Sequence, residues 1–108
     1  TQGPQTADVE ILIDGTVRSA SAQGNGPVDA IFKAITEIMQ HSAKLELFQV
    51  HAVTGGADAQ ATVSVRLSED GLVATARSSD PDTLTATARA YIHALCKLDI
   101  RRAKRIAA

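Results

Sequence analysis

One pattern of turns and helix starts occurs twice in this chain, and the repeat restricts the possible folds more than any other feature. Asp14-Gly15 and Asp70-Gly71 are each flanked by alternating apolar and polar residues, which is typical of two-residue β-hairpin turns. Each hairpin is followed by a proline that begins a segment with helical apolar spacing, Pro27 in the first copy and Pro81 in the second. Because proline is favoured at the first helical position, we align Pro27 with Pro81 and predict two copies of strand, turn, strand and helix.

The repeat determines the fold class that we expect. A two-stranded hairpin with one helix buries too little apolar surface to be stable alone, so the two copies should pack together about a pseudo-twofold axis. Runs of strands that alternate with single helices are typical of α+β domains. We therefore expect an α+β fold with two antiparallel sheets, or one split sheet, in which each half is backed by one helix.

The first copy reads as strands over 9–13 and 17–22, followed by a helix from Pro27 to near His41 that carries an apolar stripe. Gly26 is the expected N-cap of that helix, and the two glycines that flank Asn25 would permit a positive φ and close approach of a ligand.

The second copy is preceded by an additional strand over 45–53, where a phase slip between Leu47 and Phe48 predicts a β-bulge or a strand buried on both faces. A loop is expected over 54–58, and the hairpin strands over 61–68 and 72–77. Asp80 is the expected N-cap of the second helix, with Pro81 at its first position.

Composition excludes several classes of function. Only 3% of the 108 residues are aromatic, which leaves little surface for stacking nucleic-acid bases. The formal net charge of −1 gives no electrostatic reason to expect nucleic acid or an anionic membrane as a partner. No apolar run is long enough to span a membrane, and the single cysteine, Cys96, fits a reducing, cytoplasmic compartment.

Catalytic and metal-binding patterns are lacking in the sequence. His41, His51 and His93 have no common short spacing, whereas a metal site requires converging ligands. No serine lies in a nucleophile-elbow pattern, and nothing beside Cys96 predicts a lowered thiol pKa. We therefore expect no catalytic residues and no cofactor in this chain.

The two helix starts could instead bind a small amino acid. Free N–H groups at a helix N-terminus suit a carboxylate, and Asp29, Asp80 or Asp82 is available for an ammonium group. Small and branched side chains would line such a site: Val28, Phe48, Val50, Ala52, Ala59 and Thr83. Ordinary helix starts explain the same prolines and aspartates, and from the residues alone that interpretation is the simpler one.

Three segments, in order, resemble the C-terminal regulatory domain of the 2-isopropylmalate synthases. They are GNGPVDA at 24–30, FQVHAVTGGADA at 48–59, and SDPDT at 79–83 followed by ATARAYIHAL at 86–95. The resemblance implies an allosteric, homodimeric domain in which leucine binds between the two halves and inhibits a catalytic barrel in the same protein. That barrel, with its divalent metal, would condense acetyl-CoA with 2-oxoisovalerate. The implied division is a linker or cut edge over 1–7, the regulatory domain over 8–98 and a basic tail over 99–108.

Matching positions give the effector site that the resemblance implies: Asn25, Gly26, Pro27, Val28, Asp29, Leu45, Phe48, Ala52, Ala59 and Thr83. Three alternatives stay open. The citramalate synthases share the domain, and there the effector would be isoleucine. A structural dimer domain without an effector site would respond to neither amino acid. The third alternative is an enzyme in its own right, which would turn over acetyl-CoA.

Overall fold

The computed structural model describes residues 5–53 and 59–107 of the chain, which separates into two compact units, Thr1–His41 and Ser42–Ala108. The first unit contains β1 (Gln5–Ile13), β2 (Thr16–Gly24) and α1 (Pro27–Ile38). The second contains β3 (Lys44–Val53), β4 (Gln60–Glu69), β5 (Leu72–Asp80) and α2 (Thr83–Ala107). The predicted α+β class with two antiparallel sheets, each backed by a helix, is confirmed.

Both predicted hairpin turns are present and have the geometry that their sequences favour. Asp14 and Gly15 have φ values of 49° and 80°, and Asp70 and Gly71 have φ values of 53° and 78°. Two successive residues with positive φ make the turn whose twist matches that of paired strands. β1 therefore pairs with β2, and β4 with β5, in an unbroken antiparallel register.

The first unit has a thin core on one face of a two-stranded sheet. α1 packs on both strands and buries Ala30, Ile31, Ala34 and Ile35. The helix ends at Ile38 instead of near His41, where we expected its end. Met39 leaves helical geometry, and the chain returns so that His41 Nε2 lies 3.0 Å from Thr36 Oγ1.

The second unit has the deeper core. β4 is the central strand of its three-stranded sheet, and its side chains at Val63, Val65 and Leu67 are fully buried. α2 packs on β4 and β5 and contributes Tyr91, Leu95 and Leu98 to this core, together with smaller residues (Ala86, Thr87, Ala90, Ala94). Leu84, in the first turn of α2, is 40% exposed.

β3 carries the predicted irregularity at a slightly different place. Its register against β4 shifts between Leu45 and Leu47, not between Leu47 and Phe48. The alternative that β3 is buried on both faces is wrong, because Leu45 and Val50 are 46% and 44% exposed. β3 lies at the edge of its sheet, where only β4 pairs with it. The predicted loop over 54–58 lies outside the described residues.

The two units repeat one backbone plan with a constant interval between equivalent residues. The hairpin turns, the strand ends at Gly24 and Asp80, and the helix starts at Pro27 and Thr83 are all separated by the same number of residues. Our alignment of Pro27 with Pro81 is therefore wrong by two positions. Pro81 precedes α2, because β5 continues to Asp80, beyond its predicted end.

Candidate functional site

The start of α1 is a helix N-terminus with no side chain to cap it. Gly26 is the N-cap, and its carbonyl accepts a hydrogen bond from the N–H of Ala30 at 3.0 Å. Pro27 follows at the first helical position, as predicted, and has no N–H. The next two N–H groups, those of Val28 and Asp29, have no acceptor among the described residues. The helix start therefore presents two adjacent donors at the positive end of the helix dipole.

The Asp29 carboxylate lies beside these donors and organises the turn that precedes them. Its Oδ2 accepts a hydrogen bond of 2.9 Å from the backbone N–H of Asn25 and lies 3.1 Å from Lys33 Nζ. The hydrogen bond from Asn25, and then that from Lys33, lowers the pKa of the Asp29 carboxyl below its ordinary value. Asp29 is thus a carboxylate at neutral pH, and its role towards a ligand ammonium group stays a prediction.

The two glycines of this segment have different roles, and neither has the positive φ that we expected. Gly26 is extended, with φ −167° and ψ 176°, and a Cβ there would meet no atom within 4 Å. A Cβ at Gly24 would lie 2.5 Å from Ala30 N and 2.8 Å from Asp29 C. Gly24 is therefore required by the packing of β2 against the first turn of α1, whereas the fold of this unit leaves space at Gly26.

The predicted apolar contacts on β3 share one face of the second sheet. Four apolar residues of β3 pair with residues of β4 that are buried beneath α2: Leu45, Phe48, Val50 and Ala52. α2 covers β4 and β5, so that these residues of β3 are left half-buried or exposed. They form a continuous apolar strip, while Ala59 is exposed just before β4.

The start of α2 differs from that of α1 because its own side chain caps it. Asp82, not Asp80, is the N-cap: its carbonyl accepts the N–H of Ala86 at 3.0 Å. Its carboxylate accepts hydrogen bonds of 3.0 Å from the Leu84 N–H and from the Thr85 hydroxyl. The Thr85 hydroxyl, followed by the Leu84 N–H, lowers the pKa of the Asp82 carboxyl.

Asp80 has a different role from the one that we predicted. As the last residue of β5 it accepts the N–H of Asp82 at 2.8 Å and pairs with Arg89 at 3.0 Å. Its carboxylate therefore supports the turn before α2 and does not cap the helix. Thr83, a predicted effector contact, is the first residue of α2 and is equivalent to Pro27 in the first unit.

Sequence reasoning placed Asn25, Gly26, Pro27, Val28 and Asp29 together, and the structure joins them in one turn. It gave no separate role to Gly24, since a close approach between a strand end and a helix leaves no signal in a single sequence. The other predicted contacts lie on β3, before β4 and at the start of α2, all in the second unit. Their role in binding stays a prediction.

Two negative findings hold for the described residues. No helix there is long and apolar enough to cross a lipid bilayer. In the same parts of the chain, no three histidine, cysteine, aspartate or glutamate side chains are grouped so that they could hold a metal ion.

Comparison with known proteins gives a consistent family. Residues 1–98 match the family model described as the LeuA allosteric (dimerisation) domain. The chain is 61% identical over 102 residues to a 2-isopropylmalate synthase of Afipia carboxidovorans, covering 94% of this chain and 20% of that protein. It is 57% identical over 107 residues to the synthase of a Bradyrhizobium species and 55% over 106 residues to one of Rhodopseudomonas palustris. These matches cover 99% and 98% of this chain, and in each case 20% of the relative.

Proposed function

This chain belongs to the LeuA allosteric (dimerisation) domain family, and on that premise we propose that it binds leucine and regulates a 2-isopropylmalate synthase. Leucine would report the level of an end product and reduce the activity of a catalytic barrel in the same polypeptide. The chain spans about a fifth of the length of the synthases that it matches, so the condensation of acetyl-CoA with 2-oxoisovalerate is proposed for the rest of the protein.

The uncapped start of α1 is the observation that carries this proposal. A free amino acid brings a carboxylate, and the N–H groups of Val28 and Asp29 are two donors without an acceptor among the described residues. A carboxylate at a helix N-terminus accepts such hydrogen bonds and is stabilised by the helix dipole. A Cβ at Gly26 would meet no atom within 4 Å, so there is space beside the residue that precedes Pro27.

The remaining parts of leucine have proposed contacts of suitable chemistry. The Asp29 carboxylate, whose pKa is lowered, is available to the ammonium group through Oδ1, since Oδ2 makes both of its contacts. The residues that the family resemblance implies in the second unit remain predicted effector contacts: Leu45, Phe48, Ala52, Ala59 and Thr83. Half-buried or exposed apolar groups of this kind gain stability when a ligand covers them.

Calorimetric titration of this chain with leucine, isoleucine and valine tests the proposal. We expect saturable binding that is tightest for leucine, and a rise in the unfolding midpoint with leucine concentration. A ligand present at a hundred times its dissociation constant stabilises the native state by about 2.7 kcal/mol. A preference for isoleucine would assign the chain to the citramalate branch of the family instead. Binding of none of the three would contradict an effector site.

A further inference from the structure

The second sheet has one face that α2 does not cover. α2 packs on the side of β4 that contains Val63, Val65 and Leu67. Because successive side chains of a strand point to opposite sides, positions 62, 64, 66 and 68 of β4 lie on the other side, which we call the outer face. They pair with positions 79, 77, 75 and 73 of β5 and with positions 51, 49, 47 and 44 of β3. All of these residues except Leu47 and Val73 are polar, so the outer face is a surface of hydrogen-bonding and charged groups.

Two arginines lie side by side in the middle of the outer face. Arg66 is directly opposite Thr75, and its Nε donates a hydrogen bond of 3.1 Å to Thr75 Oγ1. Arg77 is directly opposite Ser64, and its Nε donates to Ser64 Oγ at 3.2 Å. The two pairs are adjacent, so the arginines are diagonal neighbours about 7–8 Å apart at the backbone, within reach of long side chains. We call Arg66 and Arg77 the arginine pair.

The hydroxyl partners hold both guanidinium groups against the sheet. Each arginine lies on one strand and reaches across to the other, because its Nε bond is made to the opposite residue. Ser64 is only 5% exposed although α2 covers the opposite side of β4, which is consistent with the Arg77 side chain lying over it. The Nε bonds leave the Nη groups of Arg66 and Arg77 without an acceptor among the described residues.

On the α2 side of the same sheet, the charged groups are compensated by opposite charges. Glu69, at the end of β4, pairs with Arg102 of α2. Asp80, at the end of β5, pairs with Arg89 of α2 at 3.0 Å. These ion pairs neutralise the guanidinium groups that they contain, which a hydroxyl group cannot do.

The outer face therefore keeps an excess of positive charge. Lys44 lies opposite Ser68 and adds a third cation to the arginine pair. The carboxylate of Glu46 reaches this face, where it accepts a hydrogen bond of 2.5 Å from the Ser68 hydroxyl. In the parts of the chain that the structure describes, no carboxylate forms an ion pair with Arg66 or Arg77. Like charges held side by side repel each other, and an anion that contacts both removes that repulsion.

The chemistry of the arginine pair favours a phosphate group as that anion. The N–H groups of a guanidinium match two oxygens of a phosphate or a carboxylate. A carboxylate has one negative charge and two oxygens, which suit one guanidinium. A phosphate monoester carries about 1.5 to 2 negative charges at pH 7 and three acceptor oxygens, which suit two.

We propose that Arg66 and Arg77 together bind a phosphate group, supplied either by inorganic phosphate or by a phosphate monoester. The Thr75 and Ser64 hydroxyls orient the two guanidinium groups before the ligand arrives, which reduces the conformational freedom lost on binding. This site uses none of the residues proposed for leucine, and it goes beyond the proposed function.

Nuclear magnetic resonance of the ¹⁵N-labelled chain tests the proposal at the arginines themselves. The chain is titrated with inorganic phosphate, and separately with phenyl phosphate, while sodium chloride is withdrawn to keep the ionic strength constant. We expect saturable shifts of the Nε–H signals of Arg66 and Arg77 with either probe. Tighter binding of phenyl phosphate would identify a monoester as the source of the group, and equal affinities would show that free phosphate is sufficient.

Substitution of one arginine at a time measures the contribution of each. We expect Arg66→Gln and Arg77→Gln each to weaken phosphate binding about tenfold, because one guanidinium then remains. Arg66→Lys should retain part of the affinity, since it keeps the charge without the paired donors. Arg101→Gln is the matched control: it removes the same charge from an exposed position on α2 and should leave the affinity unchanged. Thermal unfolding of each variant checks that the fold is retained.

The outcomes separate this inference from the proposed function. Equal affinities of Arg66→Gln, Arg77→Gln and Arg101→Gln for phosphate would overturn the site, as would shifts that chloride reproduces at the same ionic strength. Phosphate shifts confined to the N–H signals of Val28 and Asp29 would overturn the arginine pair and leave the proposed leucine site intact. Loss of leucine binding with phosphate binding retained would contradict the effector site and leave the arginine pair standing.

Discussion

The two helix starts of this domain occupy equivalent places in a repeated plan but satisfy their N–H groups in opposite ways. At α2 the Asp82 carboxylate accepts hydrogen bonds from the Leu84 N–H and from the Thr85 hydroxyl. At α1 the equivalent residue is Gly26, which has no side chain, and the N–H groups of Val28 and Asp29 lack an acceptor among the described residues. The start of α2 is thus capped by its own side chain, whereas the start of α1 is not.

The two units also differ in how completely they bury equivalent strands. β4 is flanked by β3 and β5, and its Val65 and Leu67 are fully buried. β1 has one neighbour, and the equivalent Val9 and Ile11 are only half-buried. Because it buries less apolar surface, we expect the first unit to be the less stable of the two.

Truncation of equivalent core residues should give the largest difference between the units. We expect Leu67→Ala to lower the free energy of unfolding by about 2–5 kcal/mol, because the residue is fully buried and leaves a cavity. Ile11→Ala should cost roughly half as much, since its side chain is already partly in solvent. Urea unfolding of both variants measures this, and equal losses would contradict the difference in core depth.

Substitution at the strand ends should give the next largest effect. Gly24→Ala forces a Cβ against the backbone of the first turn of α1, and we expect a loss of about 1–3 kcal/mol. Gly26→Ala, two residues later, should change stability by less than about 0.5 kcal/mol because its Cβ meets no atom. If thermal unfolding shows the two substitutions to be equivalent, the close approach of β2 to α1 is wrong.

Removal of the α2 cap should have a smaller effect that depends on pH. The folded pKa of Asp82 is lowered from an ordinary value of 3.8, so its stabilisation is complete above that value and is lost as pH falls through the folded pKa. At pH 7 we expect Asp82→Ala to lower the unfolding midpoint by about 4 °C. As the pH falls below 3.8, the difference from the unsubstituted chain should shrink progressively, and a constant difference would argue against the carboxylate cap.

Most of the fold could be predicted from the sequence because the residues that signal turns, strands and helix starts act locally. Asp-Gly turns, alternating residues on β1 and β4, and Pro27 before an apolar stripe each specify an element without long-range information. The α+β plan follows from their repetition. The start of α2 was more difficult to predict, since Asp80, Pro81 and Asp82 are all residue types that favour a helix start. Only the length of β5 decides that Asp82 is the cap.

Features that depend on tertiary packing could not be predicted. The close approach at Gly24 depends on the position of α1 against β2, and the exposure of Cys96 depends on which side of α2 meets the sheet. For the candidate site, the segment from Asn25 to Asp29 was found through its order of residues. The hydrogen bonds alone revealed that the Val28 and Asp29 N–H groups lack an acceptor among the described residues, whereas the Leu84 N–H has one in Asp82.

Exchange of the cap at Gly26 tests most directly whether the open start of α1 is an effector site. Gly26→Asp gives α1 the internal carboxylate that α2 already has, and Gly26→Ala adds a Cβ without an acceptor. By calorimetry with leucine we expect Gly26→Asp to lose at least tenfold in affinity, about 1.4 kcal/mol, while its fold is retained or slightly stabilised. Gly26→Ala should bind leucine within a fewfold of the unsubstituted chain. Unchanged leucine binding by Gly26→Asp would contradict the account.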